Sequence, residues 1–174
     1  MLFRSPSGAP GRILICYRYA KLDPIREAAL KTVHWMDPPV DQPQQSFLGA
    51  QYSGIVRVPA AFVVQSAQSW VYERTNLRAG EAINGLVSGE ADMVYPKLKA
   101  PPHRSFTILS TSPFVRRDRT AGIAQATVYQ APSGAWVFDA ATFGWAERIG
   151  PDAFPDARVQ RMTVNLLDRM AYGT

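Results

Sequence analysis

Cysteine and histidine are nearly absent from this sequence. One cysteine, Cys16, and two histidines, His34 and His103, stand in 174 residues. A Cys/His zinc site needs four such ligands and an internal disulfide needs two cysteines, so neither can form within the chain. A Ser/His/Asp triad would have to recruit His34 or His103, and there is no Gly-x-Ser-x-Gly elbow to present the serine. Carboxylate or tyrosine metal sites and acid/base chemistry by carboxylates survive these counts. Long apolar runs are missing too, and nothing approaches the roughly 20 residues of a membrane-spanning helix. Residues 1–12 carry scattered Arg, Pro and Gly in place of the apolar stretch of a secretory signal. No membrane association and no signal peptide are therefore expected, and localisation stays open.

Charge excludes less. The net charge is +5, but Lys and Arg are scattered, and the one cluster, Arg116, Arg117 and Arg119, is interrupted by Asp118. No series of base-stacking aromatics accompanies it, so nucleic acid is not an expected partner. The cluster reads as a solvated loop or a packing surface.

What the chain does have is proline. Fourteen prolines punctuate it, among them Pro38, Pro39, Pro43, Pro96, Pro101, Pro102, Pro151 and Pro155. Long helices are thereby excluded over most of its length. Arg12 to Tyr17, Ile55 to Val64 and Ser105 to Ser110 are β-branched and apolar runs bounded by turn residues, the pattern of buried strands. Pro59 puts the second at an edge or a bulge. From Ala124 to Ala140, two alternating runs flank Ala131-Pro132-Ser133-Gly134, a tight turn with proline second and glycine fourth, which predicts a hairpin. Asp156 can cap a helix running to about Ala171, with Val159, Met162, Thr163, Leu166 and Met170 at helical spacing. The expected fold is α/β: a mixed sheet with a C-terminal hairpin and helix, α+β being the alternative.

Several residues invite a functional reading. In Asn84 to Asp92, a strand-like Gly-Leu-Val leads to Ser88-Gly89 and then to Glu90 and Asp92, two residues apart and so on one face of an extended segment. One carboxylate could act as an acid/base group while its neighbour raises its pKa. The plainer alternative is a solvated strand end. Trp70 and Tyr72 alternate, so both could lie on one side of a strand, lining a pocket or packing a core. Trp145, in Thr142 to Glu147, could roof a pocket or close the core. His34 and His103 read as hydrogen-bonded structural residues before they read as ligands, and Glu73 with Arg74 reads as a surface pair.

Six pieces occur in order: Cys16-Tyr17-Arg18 with Asp23-Pro24; Thr32-Val33-x-Trp35-x-Asp37-Pro38-Pro39-Val40; Gly49-Ala50-x-Tyr52; Gly85-Leu86-Val87-x-x-Glu90-x-Asp92; Tyr129-x-Ala131-Pro132-Ser133-Gly134-Ala135-x-Val137-Phe138; and Asp156-x-Arg158-Val159-Gln160-x-Met162-Thr163-x-Asn165-Leu166-Leu167. Together they resemble the C-terminal region of N,N-dimethylformamidase large (beta) subunit-like proteins, over about residues 12 to 171. The resemblance implies a glutamine amidotransferase-like (flavodoxin-like) domain, here truncated. It also implies a hydrolase acting on carbon-nitrogen bonds other than peptide bonds: the enzyme of that name converts N,N-dimethylformamide to formate and dimethylamine at a mononuclear iron held by tyrosines and a glutamate. Those ligands are expected upstream, so this chain should hold no metal or cofactor of its own, with iron belonging to the full-length parent.

The implied catalytic residues are Glu90, tuned by Asp92, and the implied pocket is lined by Trp70, Tyr72 and Trp145. The implied partners are the upstream part of the same polypeptide and a small subunit. Where the family pattern has His, Gly-Thr-Gly and Gly-Tyr-Glu, this chain has Ser69, Arg74-Thr75-Asn76 and Ser88-Gly89-Glu90. These departures near the implied pocket bear on substrate and on activity, and a fragment inactive alone is expected. The competing reading is a non-catalytic interaction or scaffold domain of a larger, cell-surface protein. Leu2 to Ser5 is what the end of a common sequencing adapter encodes in one frame. Residues 1–11 are accordingly expected to be a non-native or disordered leader and 12–174 the domain.

Overall fold

The computed structural model describes residues 20–27, 31, 33–38, 40–151 and 154–173. The chain divides into two compact units, Met1–Pro43 and Gln44–Thr174. The strand expected at 12–17 lies outside the described residues. In the first unit a 3-10 turn spans Ala20–Leu22. Further on, the Asp37 amide donates to His34 O (2.9 Å) and the Gln42 amide to Trp35 O (2.6 Å). His34 Nδ1 lies 3.9 Å from Asp37 Oδ2, across one turn.

The second unit is a set of short antiparallel ladders. Strand β1 (Gln51–Ile55) pairs with β4 (Glu90–Met93), and β2 (Ala60–Val63) pairs with β3 (Ala82–Val87). Strands β5 (Ser105–Ile108), β8 (Thr127–Gln130) and β9 (Trp136–Asp139) form a three-stranded sheet, and β6 (Ser112–Val115) pairs with β7 (Ala121–Ala124). Single bridges at Val56 and Arg116, Val64 and Ser110, and Ala91 and Thr142 connect these ladders. A parallel sheet needs crossovers of a dozen or more residues, usually helical. Here every described pairing is antiparallel and no α-helix falls between β1 and β9. The α+β alternative therefore describes this fold, and the α/β expectation is corrected; the flavodoxin-like layering is not seen among the described residues.

The Ile55 to Val64 run is divided between β1 and β2. Pro59, with no N–H to donate, sits immediately before β2. The hairpin forms as expected, with Gln130 opposite Trp136 and Thr127 opposite Asp139. In its turn the Gly134 amide donates to Ala131 O at 2.9 Å, and Gly134 takes a φ of +94°.

Helices α1 (Gln45–Leu48) and α2 (Gly144–Glu147) are single turns, and α3 (Ala157–Tyr172) is the long one. Asp156 caps α3 by accepting the Arg158 amide at 2.9 Å, and Gly173 ends it in the left-handed conformation. Val159, Met162 and Leu166 are buried on its inner face, whereas Met170 is exposed. They meet Phe62, Ile83, Leu86 and Val128 from the strands, and Leu109 just beyond β5, in one core cluster. Trp145 locks α2 to α3: its indole N–H donates to Thr163 Oγ1 at 3.1 Å.

Candidate functional site

Strand β4 carries Glu90 and Asp92 on one face, as period-two alternation requires, because the Ala91 between them is fully buried in the core. Glu90, exposed, pairs with Ile55, and Asp92, half-buried, pairs with Tyr52 across a bulge. The backbone of Asp92 is fixed on both sides: its N–H donates to Ala141 O at 3.2 Å and its carbonyl accepts the Gln125 amide at 2.9 Å.

The turn into β4 is held from the β9 side. Gly89 takes a φ of +72°, and a Cβ there would lie 3.0 Å from Phe143. Thr142 Oγ1 accepts the Ser88 amide at 2.8 Å and the Gly144 amide at 3.2 Å. The segment leaving β9 therefore grips the segment entering β4, and it brings a third carboxyl with it.

That carboxyl is Asp139. Its Oδ1 accepts the Ala141 amide at 2.7 Å, holding Ala141 at a φ of +57° that a β-carbon disfavours. Its Oδ2 is buried with no hydrogen-bond partner, and so is the hydroxyl of Thr127, its cross-strand neighbour. Burial pushes the Asp139 carboxyl above its ordinary range, opposed by the Ala141 hydrogen bond. The Asp92 carboxyl is pushed up to about 6, first by burial, then by the charge of Asp139 and then by that of Glu90. Such a group exchanges protons near neutral pH.

Sequence reasoning placed Glu90 and Asp92 together and missed Asp139, which lies 47 positions beyond Asp92 and reaches it only through the bridge of Ala91 to Thr142. The one local hint was a carboxylate ending the apolar β9 run.

The expected aromatic lining is placed otherwise. Trp70 and Tyr72 belong to a 3-10 turn, Trp70–Tyr72, and not to a strand, because the Ser69 side chain caps it by accepting the Val71 amide. Tyr72 is buried, and its hydroxyl donates to Leu109 O at 2.7 Å. Burial holds that phenol well above its usual pKa, so it stays protonated. Trp145 is buried edge-on against Phe62 and Phe138. Trp70 packs against Trp136 at 5.2 Å between ring centroids. Among the described residues none of the three makes a hydrogen bond or ring contact with Glu90 or Asp92. His103 sets Nδ1 2.7 Å from Pro101 O and tilts against Phe106.

A family model for the C-terminal region of N,N-dimethylformamidase beta subunit-like proteins matches residues 3–157. The chain belongs to this family. No curated protein matches it. A dimethylformamidase beta subunit-like C-terminal region is one part of a larger polypeptide, and that is the place of this chain. The match ends as α3 begins, so the helix that closes the core lies beyond the matched stretch. Where the family pattern noted above has Gly-Thr-Gly, Arg74 and Asn76 both adopt a φ of +60°, so the backbone keeps a conformation that glycine takes freely. Among the described residues no group of three or more His, Cys, Asp or Glu is arranged to hold a metal ion. No described helix is long and apolar enough to cross a membrane.

Proposed function

We propose that this chain is the C-terminal domain of an amide hydrolase of the N,N-dimethylformamidase type, working with the upstream part of the same polypeptide, and that Glu90, Asp92 and Asp139 handle protons there. Hydrolysis of an N-substituted amide must deliver a proton to the departing amine, and a carboxyl titrating near neutrality can do so. The observation that carries this reading is the Asp92 carboxyl, raised to about 6 by burial and by two neighbouring carboxylates. Glu90, exposed at the strand start, is the member of the cluster that solvent or substrate reaches first. In this reading any iron, and any small subunit, engages the upstream part.

The test is turnover of N,N-dimethylformamide by the full-length polypeptide, followed by release of dimethylamine. Asp92→Asn and Glu90→Gln keep side-chain shape and remove the ionisable group. A fall of about 100-fold in kcat with unchanged circular dichroism is expected for at least Asp92→Asn, together with a change in the pH profile. Full activity in both variants would leave the carboxylates structural. It would favour the second reading, a non-catalytic interaction or scaffold domain. That reading draws on Tyr72 and Trp145, which are fixed in the core and offer no pocket wall to Glu90.

A further inference from the structure

A concave surface lies where α3 packs on the 3-10 turn Trp70–Tyr72. It is a groove of about 280 Å³ that Glu90, Asp92 and Asp139 do not line. Arg161, Asn165 and Arg169 recur at four-residue spacing and so share one face of α3. Asn165 fastens the two walls together, its Nδ2 donating to Val71 O at 3.0 Å and to Glu73 O at 2.8 Å. Arg74 enters from the opposite wall, held at a φ of +60°.

We infer that this groove binds a small oxyanion, a carboxylate or a phosphate, on the guanidinium groups of Arg74, Arg161 and Arg169. Four observations converge on it. First, the Arg169 guanidinium is stacked 4.9 Å over Trp70, which is itself held by Trp136, so its planar fork is fixed before any ligand arrives. Second, Arg169 Nε is buried without a hydrogen-bond partner, an unmet donor on a side chain that lines the groove. Third, the ion pairs among the described residues join His34 to Asp37 and Arg158 to Asp156, so all three guanidinium groups are without a carboxylate within 4 Å. Fourth, Glu73 and Asp168 also line the groove and are exposed. Three positive and two negative side chains suit an anion of low charge and disfavour a polyanion such as a nucleic-acid backbone. Guanidinium groups hold carboxylate and phosphate through parallel charge-assisted hydrogen bonds, which is the shared chemistry of both ligands.

The experiment is titration of the purified chain, at constant ionic strength balanced with chloride, with inorganic phosphate in one arm and sodium acetate in the other. Tryptophan fluorescence is followed, since Trp70 lines the groove, and thermal denaturation is run in parallel. A saturable change with an accompanying rise in Tm is expected in at least one arm, and the arm that saturates identifies the anion. Arg169→Gln and Arg161→Gln should each weaken binding by about tenfold or more. Arg57→Gln, outside the groove, should leave it unchanged. No saturation by either anion up to about 100 mM overturns the proposal. So does saturation that survives both groove variants. If Arg169→Gln loses its fold along with its stacking on Trp70, the wild-type titration and the Arg161→Gln variant still decide.

Discussion

Thr142 and Ser88 clasp each other twice across 54 positions of sequence. The Ser88 amide donates to the Thr142 hydroxyl oxygen at 2.8 Å, and that hydroxyl donates back to Ser88 O at 2.9 Å. The contact sets where β4, with its carboxylates, begins relative to the segment leaving β9.

Thr142→Val keeps the shape and removes the hydroxyl, so the amides of Ser88 and Gly144 lose their acceptor. We expect a loss of about 1–3 kcal/mol in unfolding free energy, measured by urea denaturation. Wild-type stability in this variant would show that water replaces the hydroxyl without loss.

Gly144 has no room for a side chain. A Cβ at that position falls inside contact distance of Leu86 O and 2.6 Å from Ser88 Oγ, and backbone does not yield cheaply. Gly144→Ala is expected to cost about 2 kcal/mol or more and to lower Tm, because α2 must lift off β3. A melting curve superimposable on that of the parent would contradict this packing.

Gly134 makes the opposite case. Nothing lies within 4 Å of a Cβ built there, yet its φ is +94°. Gly134→Val should therefore destabilise by about 1 kcal/mol or more through backbone strain alone, and Gly134→Asn by less, since asparagine tolerates the left-handed region. Equal stabilities for the two variants would remove the conformational explanation.

The pH dependence of stability carries the signature of Asp92. Its carboxyl titrates near 6 in the fold against about 3.9 in an unfolded chain. Between these values the native state holds the proton and the unfolded state does not. Its contribution to stability is thus complete below about pH 4 and is lost as pH rises through about 6. Asp139, raised by burial, acts in the same direction. Unfolding free energies at several pH values from 4 to 7 should fall more steeply for the wild type than for Asp92→Asn. Parallel curves would mean that Asp92 is solvated.

What the sequence discloses depends on distance along the chain. Pro132 and Gly134 predict their own turn, and Asp156 with Val159, Met162 and Leu166 predicts its own helix, because cap, turn and period are local chemistry. The shared face of Glu90 and Asp92 is legible for the same reason. Three features were not legible. The 3-10 turn at Trp70 is set by one hydroxyl, Ser69, against a period-two pattern that pointed to a strand. The run from Ile55 to Val64 divides because β1 and β2 belong to different ladders. Asp139 joins Asp92 by a register between distant segments, and no local preference encodes such a register. Tyr72 shows the limit from the other side: an aromatic residue between Val71 and Glu73 reads equally as pocket wall or core, and its burial with a hydrogen bond to Leu109 O decides.

The ladder order has a kinetic consequence. Strand β1 pairs with β4, β5 with β8, and α3 hydrogen-bonds through Asn165 to a carbonyl 94 positions earlier, so most of what holds the second unit together spans long loops. Closing such loops costs entropy before any contact repays it, which slows folding towards the millisecond-to-second range of strand-rich domains. During synthesis β1 waits for β4, and Val71 waits for α3 to cover it. The hairpin of β8 and β9, the most local pairing with a legible turn, is then the natural first structure, and the amphipathic α3 is the last to dock.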